Sequence, residues 1–243
     1  MIDINCDMGE LDTLLEDGTY EALMDHVSSI NIACGGHAGD EKMIRAMVSS
    51  AKKKNVKIGA HPSYPDRKNF GRHEMNMNDE DLSASILEQI TCVMDIAADY
   101  NYSISHMKPH GALYNKAAND ENLATLIGEV IKSINPSLPV MCLAGSKMVS
   151  ILKDMGLNVL RESFADRTYE TDGSLRKRTL SNALIIDPQI ASLQAYNIYK
   201  NNKLIAHDGS EITLHSETVC IHSDTPDALK IAIAVNNKLN RSQ

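Results

Sequence analysis

Strand-like and helix-like stretches alternate seven or eight times along this sequence, with no break in composition and no Gly/Ser linker. The alternation points to a parallel sheet with helices outside it, because parallel neighbours need a crossover of helical length. At 243 residues, a closed (β/α) barrel formed as one domain over residues 1–243 fits the pattern better than an open sheet.

Ile2, Ile4 and Cys6 alternate with Asp3, Asn5 and Asp7, which predicts a first strand with one polar face. Further strands are expected over 30–34, 56–60, 104–108, 139–143, 158–161 and 218–221, and 183–186 is another short apolar run. Helical spacing follows Thr19 (Leu23, Met24, Val27), Asp40 (Met43, Ile44, Met47, Val48, Ala51) and Asn78 (Leu82, Ile86, Ile90, Val93, Met94, Ala97), and resumes near Asp120. A helix after Ser146 should stop at Gly156, and Asp187-Pro188 should open another to about Asn201. Stretches 204–206 and 211–214, joined through Asp208-Gly209, read as a small hairpin, and a final helix starts after His222.

The reactive side chains are placed where a barrel would use them. In 104–108, His106 and Lys108 share one face and Met107 takes the other; Pro109 ends the strand, and His110 and Gly111 fall in the loop. One buried histidine satisfied by a backbone carbonyl is common in cores. Here Asp7, His37, His61, His106, His110, Glu162, Asp166 and His222 are all expected to follow strand ends, the catalytic face of a barrel. An open sheet would use only a few of those loops. His26, His73, His207 and His215 lack this placement and are expected at the surface.

A formal charge of −8 argues against nucleic acid as the main partner. The runs Lys52-Lys53-Lys54 and Arg176-Lys177-Arg178 read as a solvated helix end and a solvated loop. No apolar run approaches a membrane span, and the first residues lack the pattern of a signal peptide. Five cysteines, odd in number and without a CxxC pair, suit a reduced cytoplasmic protein.

Six ordered motifs resemble the LamB/YcsF family: Asn5-Cys6-Asp7-Met8-Gly9-Glu10, 31–40 with Gly35-Gly36-His37, His61-Pro62-Ser63-Tyr64-Pro65-Asp66, Lys108-Pro109-His110-Gly111, Phe164-Ala165-Asp166-Arg167 and His222-Ser223-Asp224-Thr225-Pro226. Gly36 stands where that family usually carries an aromatic, and the loop after Glu10 is shorter than usual. The resemblance implies a seven-stranded, TIM-like barrel related to the glycoside hydrolase/deacetylase fold. It also implies ring opening of 5-oxo-L-proline to L-glutamate with ATP hydrolysis, together with partner subunits B and C.

The residue roles follow from chemistry. The sequence has no G-x-x-x-x-G-K-[ST] loop, so ATP would be handled mainly by the partners. Asp7 is the first choice for general base, and His61, His106 and His110 would polarise the carbonyl or protonate the leaving nitrogen. Lys108, Arg67 or Arg167 would meet the substrate carboxylate, and Asn5, Glu10, His37, Glu162, Asp166 and His222 complete the expected substrate contacts. Asp7, His61, His106 and His110 also form an Asp/His ligand set for a divalent metal, which leaves a metal-dependent deacetylase acting without ATP or partners as the alternative. A non-catalytic scaffold protein is the third reading.

Overall fold

A computed structural model describes residues 2–240; Met1 and residues 241–243, which the expected domain span includes, lie outside the described residues. Seven parallel strands close into a barrel: β1 (Asp3–Met8), β2 (Ser29–Ala33), β3 (Lys57–His61), β4 (Ile104–Met107), β5 (Val140–Leu143), β6 (Val159–Phe164) and β9 (Thr218–His222). Strand β9 pairs with both β6 and β1 and so seals the ring. The remaining strands, β7 (Lys203–Ile205) and β8 (Glu211–Thr213), form the separate antiparallel hairpin.

Helices α1 (Asp12–Glu16), α2 (Thr19–Met24), α3 (Glu41–Lys54), α4 (Asp79–Asp99), α5 (Gly111–Ala117), α6 (Glu121–Ile134), α7 (Lys147–Asp154), α8 (Pro188–Asn201) and α9 (Ala228–Asn240) surround the strands. Their starts follow local chemistry. Asp40, Asn78, Asp120 and Asp187 each accept a backbone N–H of the first turn, as N-caps do. The apolar faces of α3, α4 and α6 bury the expected Met43, Ile44, Met47, Ile86, Ile90, Leu123 and Ile127 against the outward side chains of the strands. No helix among the described residues is long and apolar enough to cross a membrane.

Four details differ from the expectations drawn from sequence. Residues 183–186 form no strand; Leu184 makes only an isolated bridge to Arg167, so the barrel closes at seven. Strand β6 runs on through Glu162, Ser163 and Phe164, because β9 offers them a ladder at Thr218, Val219 and Cys220. Asp7, His106 and Glu162 lie within strands, and His61 and His222 are the last residues of β3 and β9, instead of lying beyond the strand ends. Helices α1 and α5 are short additions that carry too few residues for a periodic signal.

Candidate active site

The barrel interior is polar and organised in layers. At its base, the Asn5 amide donates to Glu162 Oε1 (3.0 Å) and Thr218 Oγ1 (2.7 Å), and accepts from Asn31 Nδ2 (2.7 Å). Asn31 also donates to Asp7 Oδ1 at 2.7 Å, and its own oxygen lies 2.7 Å from His106 Nε2. An amide oxygen only accepts, so His106 carries its proton on Nε2, leaving Nδ1 to take the Ser105 hydroxyl at 2.9 Å. Burial, Lys108 and His61 push the His106 pKa down to about 3, so the ring stays neutral.

Gly59 makes room for this ring. It lies beside His106 in the ladder, and a Cβ there would overlap the imidazole at Nε2. Asn31 is not marked out by the sequence reading, although its signal is a polar residue inside the apolar run Ile30-Asn31-Ile32.

Above this layer, the Lys108 ammonium sits 2.8 Å from Asp7 Oδ1, 2.9 Å from Glu162 Oε1 and 3.1 Å from Cys220 Sγ. Burial disfavours the charged lysine, but the carboxylates of Asp7 and Glu162 outweigh it and hold its pKa well above the ordinary value. The same balance holds Asp7: burial raises its pKa, yet Lys108, His61 and His222 bring it well below the usual carboxylate range. Asp7 is therefore an ionised partner of Lys108.

Two histidine systems face Asp7 from the mouth. His222 Nδ1 is 3.0 Å from Asp166 Oδ1, and Asp166 Oδ2 accepts from the His222 backbone N–H (2.9 Å) and the Thr225 hydroxyl (2.6 Å). Those bonds offset burial and hold the Asp166 pKa at about 2. The carboxylate thus fixes the His222 tautomer and turns its Nε2 toward Asp7 Oδ2, 3.8 Å away. Phe164 stacks on the other side of the His222 ring.

On the opposite wall stand His37, His61, His110 and Glu10. Glu10 Oε1 is 3.2 Å from His37 Nε2 and 3.4 Å from His110 Nδ1, and His61 Nε2 is 3.4 Å from Asp7 Oδ2. The Tyr20 hydroxyl accepts the backbone N–H groups of Glu10 and Leu11 and so anchors the loop that presents this carboxylate. Burial, with the neighbouring imidazoles, pushes the pKa of His110 well down; it also lowers that of His37 against the pull of Glu10.

A cavity of about 940 Å³ opens over these groups, with Asp7, His61, Lys108, His110, Arg167 and His222 in its lining. Arg167 is 5 % exposed. Its Nε and Nη2 are held by the carbonyls of Ala183 and Arg176, and it forms no ion pair among the described residues. Burial and Arg178 lower its pKa to about 10. Arg67, by contrast, is exposed and spends its Nη1 on the carbonyls of Gly35 and Gly39; it ties loops together outside the cavity lining. The run Arg176-Lys177-Arg178, read from sequence as a solvated loop, is a loop with Lys177 exposed, and it also lines the cavity. Arg178 and Arg72 both pair with Asp224 across the mouth.

Two groups of donors are close enough to share a cation, Glu10/His37/His61/His110 and Asp7/Cys220/His222. The second fits poorly. Its thiol, raised well above the usual range by burial and by Asp7, keeps its proton, and Lys108 already occupies Asp7. The first fits the chemistry of nitrogen and carboxylate donors. His106 belongs to neither group, since both its ring nitrogens are engaged in the layer beneath; the Asp7/His61/His106/His110 set expected from sequence is not assembled.

A sequence model of the LamB/YcsF family matches residues 2–243. A Chloroflexus aggregans protein, named as the A subunit of 5-oxoprolinase, is 42 % identical over 98 % of this chain and 94 % of its own length. One of the same name from Chloroflexus aurantiacus is 41 % identical over the same shares. Among solved structures, a lactam utilization protein from Thermus thermophilus superposes with a TM-score of 0.91 at 35 % identity, covering 99 % of this chain and 96 % of that one.

Proposed function

Since the chain belongs to the LamB/YcsF family, we propose that it opens a cyclic amide by hydrolysis, as the A subunit of an ATP-hydrolysing 5-oxoprolinase that converts 5-oxo-L-proline to L-glutamate. The names of its relatives support the substrate class. The observation that carries the reading is the pairing of an Asp166-fixed His222 with a Lys108-held Asp7 beneath one cavity, with Arg167 as a buried cation in its wall.

In this reading the Arg167 guanidinium, which forms no ion pair with a carboxylate among the described residues, takes the substrate carboxylate. His222 Nε2 accepts a proton from water as the water oxygen bonds to the lactam carbonyl carbon. It then returns that proton to the ring nitrogen as the C–N bond breaks, so one imidazole serves as base and then acid. Asp166 orients that ring. Asp7, expected from sequence as the base, is too acidic beside Lys108 for the task and steadies the imidazolium electrostatically instead. His106 positions Asn31, which in turn holds Asp7, and does not reach the cavity lining. A metal on the Glu10/His37/His61/His110 side would supply Lewis-acid polarisation when bound.

ATP coupling and partner subunits B and C belong to the same proposal, with the phosphoryl chemistry on the partners because the chain carries no Walker A loop. The test is glutamate release from 5-oxoproline with and without ATP and the two partners. Release only with all of them is expected. Amide cleavage without ATP would favour the deacetylase reading, and full activity of an assembled His222→Asn enzyme would favour a scaffold.

A further inference from the structure

At the mouth of the barrel two imidazoles meet in a way that a pair of neutral histidines does not favour. His61 Nδ1 lies 2.8 Å from the Lys108 carbonyl oxygen, and His110 Nε2 lies 2.9 Å from that of Phe70. A carbonyl only accepts, so each of those nitrogens carries its ring's proton. The nitrogens left over, His61 Nε2 and His110 Nδ1, stand 3.0 Å apart. With both rings neutral, two lone pairs oppose each other at hydrogen-bond distance. Something positive belongs there.

We infer that this is the site of a divalent metal ion of the zinc type, ligated by His61 Nε2, His110 Nδ1 and Glu10 Oε1. Glu10 Oε1 is 3.4 Å from His110 Nδ1 and 4.0 Å from His61 Nε2. Tetrahedral zinc, with bonds of about 2.0–2.1 Å, sets its ligand atoms roughly 3.3 Å apart. The separations of 3.0, 3.4 and 4.0 Å bracket that edge. The two rings are nearly perpendicular, at 89°, so their in-plane lone pairs can converge on one point.

The surroundings are those of a metal centre. Metal-bound histidines hold their other N–H on a carbonyl or carboxylate, which fixes tautomer and ring angle, and both of these do so. His37 stacks flat on His110 with 3.6 Å between centroids, so it does not aim at the same point; its Nε2 instead meets Glu10 Oε1 at 3.2 Å and steadies the carboxylate. His37 Nδ1 is buried without a partner. Three protein ligands leave a fourth position beside Asp7 Oδ2, 3.4 Å from His61 Nε2, and the cavity reaches it. An open fourth position is the arrangement of catalytic zinc sites. A shared proton would serve the histidine pair alone, whereas a metal ion also uses the carboxylate.

Metal binding at this site stands apart from the choice of substrate, so its test needs no turnover. Chelator-treated full-length protein is titrated with Zn²⁺ by calorimetry and with Co²⁺ by visible absorption, while ring nitrogens are followed by ¹⁵N–¹H correlation spectra. One equivalent of Zn²⁺, an intense tetrahedral Co²⁺ band, and shifts confined to the Glu10 neighbourhood are expected. Glu10→Gln and His110→Gln should weaken binding by more than about 100-fold, beyond the usual loss from an outer contact, whereas exposed His215→Ala should leave it unchanged. Wild-type protein that takes up no stoichiometric metal, or whose spectra show a proton shared between His61 Nε2 and His110 Nδ1 in the presence of excess Zn²⁺, overturns the inference whatever the variants do.

Discussion

Lys108 is 2 % exposed, and its ammonium touches two carboxylates that have no other cation at 2.9 Å or less among the described residues. Lys108→Met would leave Asp7 and Glu162 charged and buried together. Removing one partner of a buried ion pair costs about 3–5 kcal/mol, and the loss should be read in urea unfolding. Restoring neutrality with Asp7→Asn in the same chain should recover part of it, and no recovery would mean that packing dominates. His106 gives a pH signature. The unfolded chain binds its proton near pH 6.5, but the native ring does so only near 3. This contribution to stability is therefore complete above 6.5 and is lost as pH falls through that window, by roughly 5 kcal/mol. His106→Gln should flatten the acid limb of unfolding free energy against pH between those values; an unaltered limb would count against the neutral ring. Much of this chemistry is legible residue by residue: Asp7, Glu10, His37, His61, Lys108, His110, Asp166 and His222 stand out in the sequence, and the fold gathers them. Their pairing is not legible. Whether Asp7 is a base or a counter-ion depends on Lys108 lying 2.8 Å away, a distance set by two strands a hundred residues apart in the chain.

The strands and long helices follow from periodicity and capping residues, which act locally and are therefore visible in sequence. Elements decided by their neighbours are not. Glu162–Phe164 is extended because β9 pairs with it, although those residues carry no strand alternation of their own. Arg67 and the 176–178 run change places in importance because loop direction follows from packing. Gly36 shows the same dependence: a Cβ there would collide with Gln89 Oε1 and stand 2.6 Å from Ser63 Oγ, so α4 and the loop after β3 fill the space an aromatic would need. The contact between β3 and β4 yields a direct test. Gly59→Ala drives a methyl into His106, and overpacking of this kind costs about 1–3 kcal/mol. A double change, Gly59→Ala with His106→Ala, should be less destabilising than the sum of the single changes; additivity would show that the two residues do not meet.

Across the whole molecule, a chain of net charge −8 places arginines around its cavity. Asp224 binds Arg72 from the loop after β3 and Arg178 from the loop after β6, and the partners hold its carboxyl below the usual range against the effect of burial. Asp224→Asn would free two guanidinium groups at the mouth. The KM for an anionic substrate should then become more sensitive to ionic strength, since exposed charges are screened, while kcat stays within a few-fold. A KM that varies with salt as in the parent would show that the two arginines do not face the ligand.

The ring of strands is closed by β9, which is bonded to β1 on one side and β6 on the other. During synthesis, Asp7 leaves the ribosome more than two hundred residues before His222, the imidazole that flanks it. Until that last strand emerges, the nascent sheet has two raw edges of the kind that recruit stray strands. A message cut short before residue 218 would thus yield an adhesive, open-sided product instead of a weaker enzyme.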